Sequence, residues 1–255
     1  MFKQFLMILL LGHILGDFYI QTNKMAERKE NRIKWVLLHC ISYWCAMLLV
    51  ILPVLSWQMA AAVTAAASMH LLIDCIKYRY IQLLKSKRKM TRTAERNIFF
   101  MDQLLHFFCL AAIAYGIVSR GVRVQAAGIA VSIFRTVGIS GQALLSWILS
   151  LLLIHKPANI AIAKLLMIYR PENREESLKK DSNAGRFIGT LERIIMLIFL
   201  SIGQYSAIGL VLTAKSIARY DRISKDKDFA EYYLLGTLLS TAIAIVAAFG
   251  VKTAW

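Results

Sequence analysis

Residues 5–20 read FLMILLLGHILGDFYI, an almost unbroken apolar run with a histidine at position 13 and an aspartate at position 17. Such a run approaches the roughly 17–25 residues with which a helix crosses about 30 Å of hydrocarbon. An imidazole and a carboxylate are costly in that setting, so each marks a functional position by default. The run superficially resembles a signal peptide. His13 and Asp17 interrupt its core, however, and no small-residue cleavage site follows, so it is read as a retained first helix.

Working outward, comparable apolar runs occupy 33–52, 54–76, 97–118 and 229–250. A stretch at 124–154 is broken by Arg135-Thr136-Val137-Gly138. Residues 187–214 exceed one crossing, and Gly203-Gln204-Tyr205 in their middle suits a tight turn. The expectation is an all-α, polytopic helical membrane protein with about eight transmembrane helices. A four-helix bundle over 1–120 would carry the polar residues, and a second helical membrane region would fill 121–255 around a loop at 155–186. The composition agrees: 58% of the 255 residues are hydrophobic, which excludes a disordered chain and argues against an ordinary soluble domain.

The net charge of +16 is then a matter of placement. Loops 21–34, 77–96, 155–186 and 215–227 hold 25 of the 31 Lys and Arg residues, whereas the opposite ends hold only Lys3, Arg120, Arg123 and Lys252. Basic loops mark the cytoplasmic side. The expected location is therefore a bacterial inner membrane, with these loops cytoplasmic and both termini outside. The same loops would favour anionic lipid headgroups. No nucleic-acid partner is expected, because no recognition helix or nucleic-acid fold is present. Cys40, Cys45, Cys75 and Cys109 lack paired metal spacing and read as small buried hydrophobes.

The first four apolar segments carry His13, Asp17, His39, His70, Asp74, Asp102 and His106. His13/Asp17, His70/Asp74 and Asp102/His106 are spaced i,i+4, which places each pair on one helix face. Counted along alternating helices, all seven fall in one slab a turn or two beneath the basic loops. Gln21 and Lys77 extend two of these faces. His13-Ile-Leu-Gly-Asp17 and His70-Leu-Leu-Ile-Asp74 share H-x-L-x-D, which suggests a parallel internal repeat, broken at Asp102, whose counterpart in the first copy is Trp35. Imidazole and carboxylate ligands suit a divalent transition metal, zinc first and manganese or iron next, as one or two ions. Interhelical hydrogen bonding or a proton relay is the alternative use of such groups.

These strings also carry a family resemblance. HILGDFYIQ, LLH, HLLIDCIK and DQLLH resemble the bacterial membrane family catalogued as domain of unknown function 3307. Its pattern of H-x3-D-F-x2-Q, a histidine in helix 2, H-x2-I-D-x2-K and D-Q-x2-H is matched by His13, Asp17, Phe18, Gln21, His39, His70, Asp74, Lys77, Asp102, Gln103 and His106. The resemblance extends through Lys156-Pro157-Ala158-Asn159, Gly185-Arg186-Phe187-Ile188-Gly189, Leu191-Glu192-Arg193, Ala214-Lys215-Ser216 and Glu231-Tyr232. It supports the residue list and implies no activity.

In the second half, residues 158–169 after Pro157 read as an interfacial helix, and 170–181 as a polar loop. Glu192 and Lys215 suit an ion pair between late helices; alternatively Arg193 and Lys215 bind a substrate phosphate. The leading expectation is a metal-dependent hydrolase of a lipid-linked or otherwise phosphorylated substrate. Asp102 would be its general base or a bridging ligand, and Gln21, Lys77, Gln103, Arg193 and Lys215 its substrate contacts. A metal-bound water, its pKa lowered toward about 7, would be the nucleophile. An intramembrane peptidase would use the same chemistry. A divalent-cation or proton-coupled transporter or channel, and a structural metalloprotein scaffold, are the rival classes.

Overall fold

The computed structural model describes residues 1–169 and 175–252, of which 175–183 and 251–252 are given as helix alone. The described chain is helical throughout, without strands. In order it comprises α1 (Phe2–Ile14), continued by a π-helical turn (Leu15–Ile20), α2 (Asn23–Lys29), α3 (Ile33–Ile51), α4 (Trp57–Ser86), α5 (Arg92–Val118), α6 (Gly128–Val137), α7 (Gly141–Leu166), α8 (Glu175–Ser201), α9 (Tyr205–Ile217), α10 (Tyr220–Lys225) and α11 (Lys227–Lys252). Side-chain caps define several starts: Thr22, Ser56 and Thr91 accept from the backbone N–H of Met25, Met59 and Ala94 at 3.2, 3.2 and 3.1 Å.

Two compact units result, Met1–Leu145 and Ser146–Trp255. In the first, α1, α3, α4 and α5 form a ring in which α1 packs on α3 and α5, and α4 on α3 and α5. One half of this bundle is a conventional apolar core of Phe5, Leu9, Met47, Ile51, Val63 and Leu110 with their neighbours. The other half, nearer the basic loops 21–34 and 77–96, encloses polar side chains. Its outward face is the apolar one: Ile41, Leu72, Ile76, Leu105 and Phe108 are all exposed on the helices that carry those polar groups. Polar inside and apolar outside is the arrangement that hydrocarbon imposes.

Among the described residues six helices are long and apolar enough to cross a membrane, over Phe2–Ile20, Ile33–Val54, Trp57–Ser86, Arg92–Val118, Gly141–Leu166 and Lys227–Gly250, so membrane association follows. The expected eight are not reached for a physical reason. The broken stretch at 124–154 yields a 10-residue α6 before α7, and 187–214 yields the end of α8 and a 13-residue α9, turned at Gly203 with φ +77°. The 10-residue α6 and the 13-residue α9 are too short to span hydrocarbon alone, and the apolar part of the 27-residue α8 begins only near Phe187.

Two further expectations are corrected. Residues 158–166 do not start a separate helix, because α7 runs through Pro157. Within the second unit, the Ile154 carbonyl near this proline accepts from Arg193 Nε at 2.7 Å; such partners are how membrane helices tolerate an internal proline. The loop expected at 155–186 is accordingly helical at 155–166 and again from Glu175, and 170–174 lie outside the described residues. Of the four cysteines, all free, only Cys40 is buried, and Cys45 is exposed.

Candidate metal centre

All seven intramembrane His and Asp residues converge in the first unit, each at most 8% exposed. The closest approach is between α1's π turn, α3 and α4. His39 Nε2 lies 2.9 Å from Asp17 Oδ1 and 3.1 Å from His70 Nε2, and His70 Nε2 lies 3.4 Å from the same Asp17 oxygen. Asp74 Oδ2 stands farther back, 3.6 Å from His39 Nε2 and 3.7 Å from His70 Nε2. At most one of these two facing Nε2 atoms can carry the proton between them; with both rings protonated at Nδ1 instead, both Nε2 lone pairs would face the Asp17 oxygen. Ligands around a tetrahedral ion with bonds of about 2.0–2.1 Å stand about 3.3 Å apart. Asp17, His39 and His70 already have that spacing.

Asp17 owes its position to a backbone feature that helical periodicity does not display. Leu15–Ile20 is a π turn, closed by the Gln21 N–H donating to the Gly16 carbonyl at 3.3 Å. Single π turns inside helices recur at functional sites because they re-aim one side chain. His13 Nε2 is 3.8 Å from Asp17 Oδ2, close to the 3.7 Å of the other two i,i+4 pairs, His70/Asp74 and Asp102/His106. Glycine permits the close docking of this turn on α3. A Cβ on Gly16 would lie 2.5 Å from Tyr43 Cδ2, and one on Gly12 would collide with Met47 Sδ. Gly12-x3-Gly16 is thus a small-residue interface of the membrane-helix type.

The structure adds two residues that sequence reasoning passed over. Tyr43, fully buried, stacks on the His70 ring with centroids 3.8 Å apart and planes 3° apart, and its hydroxyl lies 3.3 Å from His13 Nδ1. It therefore orients two of the histidines. Lys29, at the end of α2, donates to Asp74 Oδ2 at 3.0 Å. The available signals were weak: Tyr43 sits one turn after His39 on the same face, and Lys29 was one of many loop charges.

On the far side of the cluster, Lys77 donates to Asp102 Oδ2 at 2.7 Å. Gln103 Nε2 lies 3.3 Å from the same oxygen and 3.5 Å from Asp17 Oδ2. The His106 Nδ1–H donates to the Asp102 carbonyl at 2.8 Å, and its ring lies 4.4 Å from that of His70 and 5.2 Å from that of His13. Three residue sets can each hold an ion: His13, Asp17 and His70; His39, His70 and Asp74; and Asp74, Asp102 and His106. Gln21 follows the π turn, to which it contributes a backbone N–H. Arg193 and Lys215 belong to the second unit, where each has partners of its own. Lys215 Nζ pairs with Glu192 Oε2 at 2.6 Å.

A family model described as "Protein of unknown function (DUF3307)" matches residues 5–134, about half of the chain and all seven of these residues. The chain belongs to that family. No curated protein and no solved structure matches it.

Proposed function

We propose that this family member is a membrane-embedded metalloenzyme that hydrolyses a phosphate ester or pyrophosphate carried on a lipid. One observation carries the reading: Asp17 Oδ1, His39 Nε2 and His70 Nε2 stand 2.9–3.4 Å from one another in a buried setting. Two imidazoles and one carboxylate, with a fourth position left for water, are the donor set of catalytic rather than structural zinc. Zinc is the first choice of metal, with manganese or iron next. Held by Asp17, His39 and His70, such an ion would supply a water acidic enough to ionise near neutral pH. In a one-ion centre Asp102 would receive the water's proton as the new P–O bond forms and the P–O bond to the leaving group breaks, and would return it to the departing alkoxide or phosphate; with a second ion present Asp102 would be its ligand instead. Lys77 and Lys29, with side chains 21% and 11% exposed, line the side from which an anionic headgroup would arrive. Gln21 and Gln103 flank it.

The basic loops support a cytoplasmic placement of this side in a bacterial inner membrane, with both termini outside. The ring order α1–α3–α4–α5 supports reading the bundle as two repeated helix pairs. The test has two stages. Detergent-purified protein is assayed for stoichiometric transition metal, then for phosphate release from a panel of lipid-linked phosphates in mixed micelles. Metal-dependent release, abolished in Asp102→Asn, is expected; fully loaded protein that releases nothing refutes hydrolysis.

The near-complete burial of all seven side chains favours one second reading, a divalent-cation or proton path through the bundle. Cation or proton flux in proteoliposomes, lost in His39→Ala and occurring without phosphate release, would establish it instead.

A further inference from the structure

The buried atoms of this cluster without a protein hydrogen-bond partner include, besides the Nδ1 atoms of His39 and His70 in the triangle itself, three that lie next to it: Asp74 Oδ1, Asp102 Oδ1 and His106 Nε2. Their residues form a set whose ligand atoms lie within 4.8 Å of one another. We infer that Asp74, Asp102 and His106 hold a second divalent cation, with Asp74 bridging it to the first. This rests on reading the triangle as the first metal position.

The partners of the remaining atoms point the same way. Lys29 takes Asp74 Oδ2 and Lys77 takes Asp102 Oδ2, which leaves one oxygen of each carboxylate. The His106 Nδ1 faces a backbone carbonyl, which can only accept, so Nδ1 carries the proton and Nε2 of the neutral ring carries a lone pair. Donation from the second ring nitrogen to a carbonyl is the usual support of a metal-bound histidine.

All three orphaned atoms are therefore acceptors. They cannot satisfy one another, and one water offers only two hydrogens. A cation satisfies all three at once. Leaving such acceptors unmet inside a bundle is expensive. Asp74 reaches both positions, since its Oδ2 faces His39 and His70 while its Oδ1 is free for the second ion. Two carboxylates and one imidazole make this the harder position, suited to manganese or magnesium as well as zinc.

Charge then identifies the substrate class. Three aspartates and two lysines leave one negative charge, and two divalent ions turn this into three positive charges. A hydroxide and a phosphate dianion together offset that surplus, whereas a neutral peptide bond would not. Paired ions about 3.5–4 Å apart clamp the attacking and leaving oxygens of such a displacement.

The experiment uses full-length protein in detergent, stripped with chelator and titrated with Mn²⁺ while electron paramagnetic resonance is recorded. Two equivalents and a spin-coupled spectrum are expected in the wild type. His106→Ala should bind one equivalent with the isolated six-line signal. If that variant does not fold, Asp102→Asn, close to isosteric, gives the same reading. One equivalent with an uncoupled signal in the wild type overturns the second position and leaves the first intact. No bound Mn²⁺, with no zinc or iron retained either, overturns both.

Discussion

The cluster around His39 and the cluster around Arg193 both bury charge between apolar helices, and they satisfy it in opposite ways. Arg193, 1% exposed, donates to the Ile154 carbonyl, Ser240 Oγ, Asn159 Oδ1 and Thr190 Oγ1 at 2.7, 3.0, 2.6 and 3.2 Å. Every partner is a neutral oxygen of its own unit, so the guanidinium acts as a bolt between α7, α8 and α11. The His39 cluster instead gathers acceptors faster than donors, and lone pairs on Asp74, Asp102 and His106 remain unmet. A buried polar group whose hydrogen bonds are complete contributes to folding. A buried group without a protein partner calls for another one, such as a water or an ion.

The sharpest way to break this comparison is Arg193→Leu. It removes a donor from four oxygens of the second unit, of which Thr190 Oγ1 keeps another in Asn159 Nδ2, and should cost about 3–5 kcal/mol. Thermal unfolding in detergent should show a large fall in Tm, with metal content per folded molecule unchanged. An unmoved Tm would contradict the role of bolt. His39→Ala should behave inversely. Metal affinity should drop by more than about 100-fold, beyond the effect of losing an outer partner, while the Tm of the metal-free protein changes far less than in Arg193→Leu. A metal titration of both variants side by side checks the pair.

Gly16→Ala joins the two kinds of effect. The added Cβ would press on Tyr43, and overpacking of this kind costs about 1–3 kcal/mol. Because Tyr43 carries the His70 ring, stability and metal affinity should fall together. A variant that loses stability but binds metal normally would separate the ring stack from the site. The smallest effect belongs to Tyr43→Phe. It keeps the stack on His70 and removes the hydroxyl beside His13, so a loss of about 10-fold in metal affinity is expected with little change in Tm.

What the sequence made legible follows from what periodicity encodes. The pairs His13/Asp17, His70/Asp74 and Asp102/His106 could be placed on shared faces at one depth, because helical spacing and hydropathy fix both quantities. All-helical architecture was legible for the same reason. Three features were not. The π turn at Leu15–Ile20 shifts register within an apolar run and leaves no compositional trace. Tyr43 is invisible to a search for ionisable groups, although its place one turn after His39 was a usable signal. The contact between Arg193 and the Ile154 carbonyl, one turn before Pro157, joins residues 39 positions apart in the sequence. Asp102 stood out in the sequence for breaking the repeat, yet Asp74 is the carboxylate shared by two of the ligand sets. That distinction is one of side-chain direction, which spacing alone does not resolve.

The most direct measurement is elemental analysis of the wild-type protein purified in detergent without added metal, beside His39→Ala and His70→Ala prepared in the same way. If Asp17, His39 and His70 are ligands, the wild type carries at least one equivalent of a transition metal and each variant carries almost none. A folded wild type that is metal-free and takes up no zinc, manganese or iron on titration would contradict the metal centre. The seven side chains would then be an interhelical hydrogen-bond network.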